Sequence, residues 1–153
     1  MDLGKSIEEP AAPSPLPMQQ QPDTIFSDVA LAKRILVVED NRINQALLLR
    51  VLKRLGFTIF DFAWNGKEGV DMVKAGPSAY SLILMDTCMP IMGGLEAAGV
   101  IREMGLDVPI IAMTAHALMV DKESLLKRGF DGYLSKPVRR ADLQETLAKW
   151  LDQ

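Results

Sequence analysis

Cysteine is nearly absent from the chain, and long apolar runs are absent altogether. The single cysteine among the 153 residues, Cys88, excludes an internal disulfide and suits a reducing compartment. No apolar stretch approaches the roughly 20 residues of a membrane-spanning helix. The first residues also lack the basic region and apolar core of a secretory signal. We therefore expect a cytoplasmic protein that does not enter the membrane.

The chain also lacks a strong charge of either sign. Its 17 Lys and Arg residues and 20 Asp and Glu residues give a net charge of -3, which provides no reason to expect nucleic-acid binding. Neither a Gly-x-Gly-x-x-Gly loop nor a Walker loop occurs, so nucleotide binding has no support. The hydrophobic content of 48% and charged content of 24% are typical of a globular domain.

Residues 1–32 differ in composition from the rest of the chain. Five of the nine prolines lie there, together with three consecutive glutamines. Proline removes backbone hydrogen-bond donors and glutamine offers little apolar surface to bury. We therefore expect a disordered leader over residues 1–32 and a single folded domain over residues 33–152.

Within the folded part, apolar runs alternate with helical patterns. The runs show no polar alternation, which is typical of strands buried on both faces of a parallel sheet. The predicted strands cover residues 35–38, 58–63, 82–85, 110–113 and 133–134, and the predicted helices cover residues 42–55, 66–75, 95–104, 120–128 and 141–151. Five such units predict an α/β fold with right-handed crossovers and helices on both faces of the sheet.

Polar residues follow these runs at the points where the predicted strands end. Glu39 and Asp40 follow the first strand, and Asp86 follows the third. Thr114 follows the fourth strand, and Lys136 lies just beyond the fifth. Ligands of open α/β sheets bind outside the carboxyl ends of the strands. Three carboxylates, a hydroxyl and an ammonium at one edge therefore predict a site for a divalent cation and a phosphoryl group.

Four short stretches resemble the receiver domain of response regulators, the phosphoacceptor half of two-component signalling. They are RILVVEDN at 34–41, LMD with the following Met-Pro at 84–90, MTA at 113–115 and YLSKP at 133–137. The neighbouring residues are most similar to receivers of hybrid histidine kinases and phosphorelays. The resemblance implies a flavodoxin-like, doubly wound sheet of five parallel strands in the order 2-1-3-4-5, with its switch point between strands one and three.

The resemblance also implies which residues accept the phosphoryl group and hold the metal. Asp86 matches the phosphorylated aspartate. Glu39, Asp40, Asp86 and the backbone carbonyl of Cys88 match the ligands of Mg²⁺. A carboxylate and a phosphoryl group are both negative, so a hard divalent cation bound by oxygen atoms is needed to reduce their repulsion.

Further positions match the residues that act after transfer. Thr114 and Lys136 match the residues that contact the phosphoryl oxygens, and Tyr133 matches the aromatic switch position. The bond between Lys136 and Pro137 matches a peptide bond that is usually cis in the family. The resemblance implies that binding of partners changes when the threonine and the aromatic ring move.

The lone histidine, His116, is not expected to be a phosphohistidine, because no four-helix phosphotransfer pattern surrounds it. The phosphoryl group should come from a histidine kinase, a histidine-phosphotransfer protein or a small donor such as an acyl phosphate. The resemblance places His116 and Cys88 at the two positions that govern hydrolysis of the aspartyl phosphate. Because a thiol is a weak donor and acceptor, we expect slow hydrolysis.

Two other classes of function remain as alternatives to a non-enzymatic signalling module. A Mg²⁺-dependent phosphatase of the haloacid dehalogenase group would carry Asp-x-Asp, but Asp86 is followed by Thr-Cys. A scaffold independent of phosphorylation would be favoured if Asp40, Asp86 or Lys136 were missing, and all three are present. We expect no DNA-binding domain after the last helix. The chain is either a stand-alone shuttle, which its Met1 leader favours, or a receiver excised from a larger kinase.

The first predicted helix carries a candidate docking surface. Arg42, Arg50, Lys53 and Arg54 share one face of the helix, and Leu49 lies at its margin. We hypothesise that Leu49 belongs to an apolar patch that meets a histidine-phosphotransfer helix.

Overall fold

The computed structural model describes residues 26–115 and 122–152 of the chain. The strands are β1 (Ile35–Val38), β2 (Phe60–Ala63), β3 (Leu82–Asp86), β4 (Ile110–Thr114) and β5 (Gly132–Ser135). The helices are α1 (Asp28–Leu31), α2 (Arg42–Arg54), α3 (Gly66–Ala75), α4 (Gly94–Glu103), α5 (Lys122–Lys127) and α6 (Arg140–Leu151). The strands form one parallel sheet in the order β2-β1-β3-β4-β5, which confirms the predicted fold.

The sheet is covered by apolar side chains on both faces. Strands β1, β3 and β4 are buried along their whole length, as expected for runs without polar alternation. One apolar cluster joins the sheet to α1, α2 and α6, and a second joins it to α3, α4 and α5. No helix among residues 26–115 and 122–152 is long and apolar enough to cross a membrane.

The predicted element boundaries differ from the observed ones by one or two residues. Strand β2 begins at Phe60 and not at residue 58, whereas β3 and β4 extend one residue further, to Asp86 and Thr114. Such shifts are common where strands end. The predicted start of the fifth helix, at residue 120, lies outside the described residues. Gly56 ends the α2 region with a φ of 102°, the left-handed conformation expected there.

Asparagine side chains begin two of the helices that follow the sheet. Asn41 accepts a hydrogen bond from the backbone N–H of Asn44 at 3.0 Å and starts α2. Asn65 accepts one from Glu68 at 2.9 Å and starts α3. Each cap satisfies a helical N–H group that would otherwise lack a partner. The α2 cap fixes the point at which the chain leaves β1, immediately after Glu39 and Asp40.

The folded part begins within the segment predicted to be a disordered leader. Residues 26–33, which include α1, pack near the carboxyl end of α6; we call this segment the strap. Phe26 is 6% exposed, and its ring centroid lies 4.9 Å from that of Phe57. Ser27 donates a hydrogen bond to Asp152 at 2.6 Å, and the Lys33 ammonium donates one to the carbonyl of Leu151 at 2.7 Å. The predicted boundary at residue 32 is therefore too late, because composition does not reveal these long-range contacts.

We expect Phe26→Ala to lower the free energy of unfolding by about 3 kcal/mol, as buried phenylalanine truncations do. The ring fills space beside Phe57 that alanine cannot fill. Val29→Ala is the control, because Val29 lies in the same strap but is 71% exposed. Urea denaturation of both variants checks the expectation. Equal stability of Phe26→Ala and Val29→Ala would contradict a structural role for the strap.

Candidate functional site

Three carboxylates meet at the carboxyl ends of two neighbouring strands. Val38, the last residue of β1, is paired with Met85 of β3, so the residues that follow them lie side by side. Glu39 and Asp40 follow β1, and Asp86 ends β3. One carboxylate oxygen from each of the three lies within 4.8 Å of the others. The sheet topology thus gathers the acidic residues that the strand pattern predicts at this edge.

Lys136 brings a positive charge into this acidic cluster. Its ammonium lies 2.8 Å from a carboxylate oxygen of Asp86 and 3.0 Å from one of Glu39. Its backbone N–H donates to the carbonyl of Thr114 at 2.9 Å, which fixes the end of β5 against β4. The Lys136–Pro137 peptide bond is cis, the form that the resemblance implies. The ammonium of Lys136, which follows β5, therefore lies directly beside the carboxylate of Asp86, the candidate acceptor at the end of β3.

The Asp86 carboxylate is held at both oxygens. Its Oδ1 accepts a hydrogen bond from the backbone N–H of Cys88 at 3.1 Å, and its Oδ2 faces Lys136. The residue is 3% exposed, and the next N–H, from Thr87, donates to Met113 of β4 at 3.1 Å. Two fixed partners and a rigid strand orient the carboxylate toward the cleft.

The charges in the cluster are not balanced by the chain itself. The pKa of the Glu39 carboxyl is raised to about 7, mainly because the group is buried; the nearby Asp86 charge adds to the rise, and the hydrogen bonds from Lys136 and Asn41 oppose it. Burial alone would lower the pKa of Lys136, but its hydrogen bonds to Asp86 and Glu39 prevail and raise it. One ammonium faces three carboxylates, so an additional cation would stabilise the ionised site.

The donor set fits a hard divalent cation such as Mg²⁺. All three side chains offer oxygen atoms, and Mg²⁺ prefers one or two carboxylates completed by water and phosphate oxygens. Both Glu39 oxygens are already engaged, with Lys136 and with the N–H of Asn41 at 3.1 Å. Asp40 is exposed and Asp86 faces the cleft, so these two would bind the ion directly. The cleft, of about 240 Å³, has room for a phosphoryl group and several waters, each water occupying about 30 Å³.

Comparison with known proteins assigns this arrangement to a family. The family described as the response regulator receiver domain matches residues 35–148, which is most of the folded part. The chain belongs to this receiver domain family. The match begins at the first residue of β1, so the strap of residues 26–33 precedes the matched segment.

Relatives and solved structures of receiver domains agree with this assignment. The chain is 40% identical over 150 residues to Two-component system protein A of Emericella nidulans, covering 96% of this chain but 22% of that protein. The receiver domain of Ssk1 from Saccharomyces cerevisiae, in a co-crystal with the histidine phosphotransfer protein Ypd1, has a TM-score of 0.73 and 33% identity, covering 84% and 92% of the two chains. The receiver domain of sensor histidine kinase PA1611 from Pseudomonas aeruginosa has a TM-score of 0.69 and 39% identity, covering 79% and 98% of the two chains, and coordinates a magnesium ion in its active-site cleft.

The structure describes three of the four remaining residues that the sequence analysis assigned to this receiver's site. Thr114 is 3% exposed at the end of β4, whereas Tyr133 is 39% exposed on β5. Cys88 is exposed and borders the cleft together with Asn44. His116 lies outside the described residues, so the structure does not test its role in hydrolysis.

Sequence reasoning missed the exposed apolar side chains near the receiver cleft. Leu49 is half-buried and packs against the core, so it presents less apolar surface to a partner than its neighbours on α2, and its contact with a histidine-phosphotransfer helix stays a prediction. The exposed apolar residues of α2 are Ile43 and Leu47, at 71% and 50%. Their spacing of four residues places them together on one helical face, a signal that was present in the sequence. Ile91, 79% exposed in the loop after β3, gave no comparable signal.

Proposed function

We propose that this receiver takes a phosphoryl group from a phosphohistidine onto Asp86, with Mg²⁺ bound, and that phosphorylation changes its binding to partners. The observation that carries the proposal is the convergence of Asp40, Asp86 and Lys136 on one open cleft. The chain would act as a phosphoacceptor and carry the group onward, and would not turn over a substrate of its own.

The residues of the cleft have complementary tasks in this transfer. Carboxylates are established nucleophiles toward phosphoryl groups, and the hydrogen bond from Cys88 N–H holds Asp86 for attack. The new bond joins an Asp86 oxygen to phosphorus while the phosphorus–nitrogen bond of the donor breaks and its imidazole leaves. Lys136 offers positive charge to the incoming oxygens once it turns from Glu39. Bound Mg²⁺ would neutralise the charge that develops on the phosphoryl oxygens. Positioning and charge stabilisation supply most of the catalysis in such transfers.

The phosphorylated form would differ from the resting form at Thr114 and Tyr133. A phosphoryl group on Asp86 gives the Thr114 hydroxyl a new acceptor, because register places the ends of β3 and β4 side by side. Tyr133 lies on β5, the strand that pairs with β4, and its ring is partly exposed. Movement of the threonine toward the phosphate leaves space into which the ring turns. This two-position element would pass the phosphorylation state to partners.

A histidine-phosphotransfer protein is the partner class that the surface supports best. The similar Ssk1 receiver was crystallised with such a protein, Ypd1. Beside the cleft, an apolar groove runs between α2 and the loop after β5, bordered by Leu47, Leu48, Val51, Pro137 and Val138. Together with exposed Ile43, this groove forms an apolar docking site for a partner helix next to Asp86.

Incubation of the wild-type chain with phosphorylated Ypd1 tests the proposal, with intact mass as the readout. We expect one phosphoryl group per chain in Mg²⁺ and none when EDTA removes divalent cations. A small acyl phosphate should give the same product in a parallel reaction. Absence of a phosphorylated species with both donors in Mg²⁺ would reject the function.

We predict that the aspartyl phosphate decays slowly and that Cys88→Asn accelerates its decay about tenfold. A single well-placed hydrogen bond to the attacking water is worth about that factor. Asparagine can hold a water that a thiol holds poorly. The measurement is loss of phosphorylated mass over time in Mg²⁺, with His116→Ala alongside. Fast decay in the wild type, slowed by His116→Ala, would show that the histidine positions the water.

A further inference from the structure

Ile91 combines a strained backbone with an exposed apolar side chain. Its φ of 70° is the one positive value outside glycine among residues 26–115 and 122–152. The N–H of Met92 donates to the carbonyl of Pro90 at 2.8 Å and closes a three-residue turn around Ile91. Turns of this hand are rare and strained, and a β-branched residue is a pronounced outlier there. The side chain is nevertheless 79% exposed.

The rest of the loop is fixed without help from the Ile91 side chain. The carbonyl of Met92 accepts a hydrogen bond from the N–H of Gly66 at 2.9 Å, and the N–H of Gly94 donates to Thr87 at 3.2 Å. Asparagine or glycine would adopt the same turn with less strain. Within the isolated domain, isoleucine thus combines backbone strain with an apolar side chain that is mostly in contact with solvent. Strain of this kind concentrates at functional sites.

The position of Ile91 connects this strain with the cleft. The loop that carries it leaves β3 directly after Asp86, and its residues Thr87 and Cys88 border the cleft. Helix α2, with Ile43 exposed, leaves the neighbouring strand β1 on the other side. Apolar side chains therefore stand on both flanks of an acidic centre. A protein that presents a phosphohistidine to Asp86 would cover both flanks.

We propose that Ile91 is an anchor residue for the histidine-phosphotransfer protein, buried on docking and retained in its strained turn for that contact. The inference rests on the proposed function and adds a specificity-determining residue to it. Anchors of this kind are apolar side chains that become fully desolvated at the centre of an interface. A small acyl phosphate needs no such contact, so the two kinds of donor separate docking from chemistry.

The test uses Ile91→Asn, which relieves the strain and removes the apolar surface. We expect its midpoint of thermal unfolding to rise by about 3–6 °C. Its rate of phosphorylation by phosphorylated Ypd1 should fall about tenfold, the loss expected for one apolar anchor. Its rate with an acyl phosphate should equal that of the wild type. Ile91→Val, which keeps both strain and apolar character, should retain most of the Ypd1 rate.

Val29→Asn serves as a matched control, because Val29 is exposed but lies in the strap at the far end of the sheet. It should change neither rate. Undiminished transfer from Ypd1 to Ile91→Asn would overturn the anchor role. Wild type that accepts from the acyl phosphate but not from Ypd1 would also overturn it, while leaving Asp86 as an acceptor. Failure of the wild type with both donors would instead reject the proposed function.

Discussion

Asp86→Asn is expected to take up no phosphoryl group from either a phosphohistidine protein or an acyl phosphate. The amide has the shape of the carboxylate but only one acceptor oxygen, so it can keep the hydrogen bond from Cys88 N–H or the contact with Lys136, and not both as they stand. It is not a nucleophile toward phosphorus, however, and it removes one of the charges that attract a cation. Phosphorylation should therefore fall below detection by intact mass, while the fold is kept.

The matched control for this variant is Asp107→Asn. Asp107 is exposed and lies just before β4, at the opposite end of the sheet from the cleft. The same chemical change there should leave the yield and rate of phosphorylation as in the wild type. Thermal unfolding of both variants establishes that loss of phosphorylation is not loss of structure. A phosphorylated Asp86→Asn protein would contradict the assignment of the acceptor.

Gly94→Ala is expected to destabilise the domain by about 3 kcal/mol, through steric overlap at the acceptor strand. A Cβ on Gly94, the first residue of α4, would overlap the backbone carbonyl of Asp86 and lie 2.9 Å from the side chain of Met85. Neither backbone segment can move away easily. The N–H of Gly94 is hydrogen-bonded to the carbonyl of Thr87, and β3 is paired with a strand on each side. To accommodate the added Cβ, either β3, which carries Asp86, must shift or α4 must begin at a residue after position 94.

Gly99→Ala in the same helix separates this overlap from the ordinary effect of replacing glycine. A Cβ at Gly99 meets nothing within 4 Å, and alanine favours a helix interior by about 0.5–1 kcal/mol over glycine. Urea denaturation should thus show opposite effects for two identical substitutions five residues apart. Similar stability of the two variants would mean that Gly94 does not hold α4 against the acceptor strand.

The site was predictable because its residues end strands that can be recognised in the sequence. Apolar runs such as residues 35–38 and 82–85 have no polar alternation, so they indicate a parallel sheet, and parallel sheets gather their carboxyl ends at one edge. Glu39, Asp40 and Asp86 follow from that rule alone. The same rule placed Lys136 at this edge, because it lies just beyond the fifth predicted strand, whereas the strand order followed from the family resemblance.

Features that depend on contacts far along the chain, or on local backbone angles, were not predictable. Phe26 appears in a proline-rich segment, and its packing on Phe57 becomes apparent only when the fold brings them together. Leu49 and Leu47 differ by two positions on one helix, and the exact rotation of α2 decides which is exposed. The residue type gives no indication of the positive φ of Ile91, because isoleucine normally avoids that region of backbone angles.

The central claim is that the phosphoryl group resides on the Asp86 carboxylate and arrives there only with Mg²⁺. Peptide mapping by mass spectrometry, after wild-type chain has been phosphorylated in Mg²⁺ or in EDTA, tests it most directly. We predict one modified peptide, containing Asp86, in the Mg²⁺ sample and none in the EDTA sample. A phosphoryl group mapped to any other residue, or equal modification of Asp86 without divalent cations, would contradict the claim.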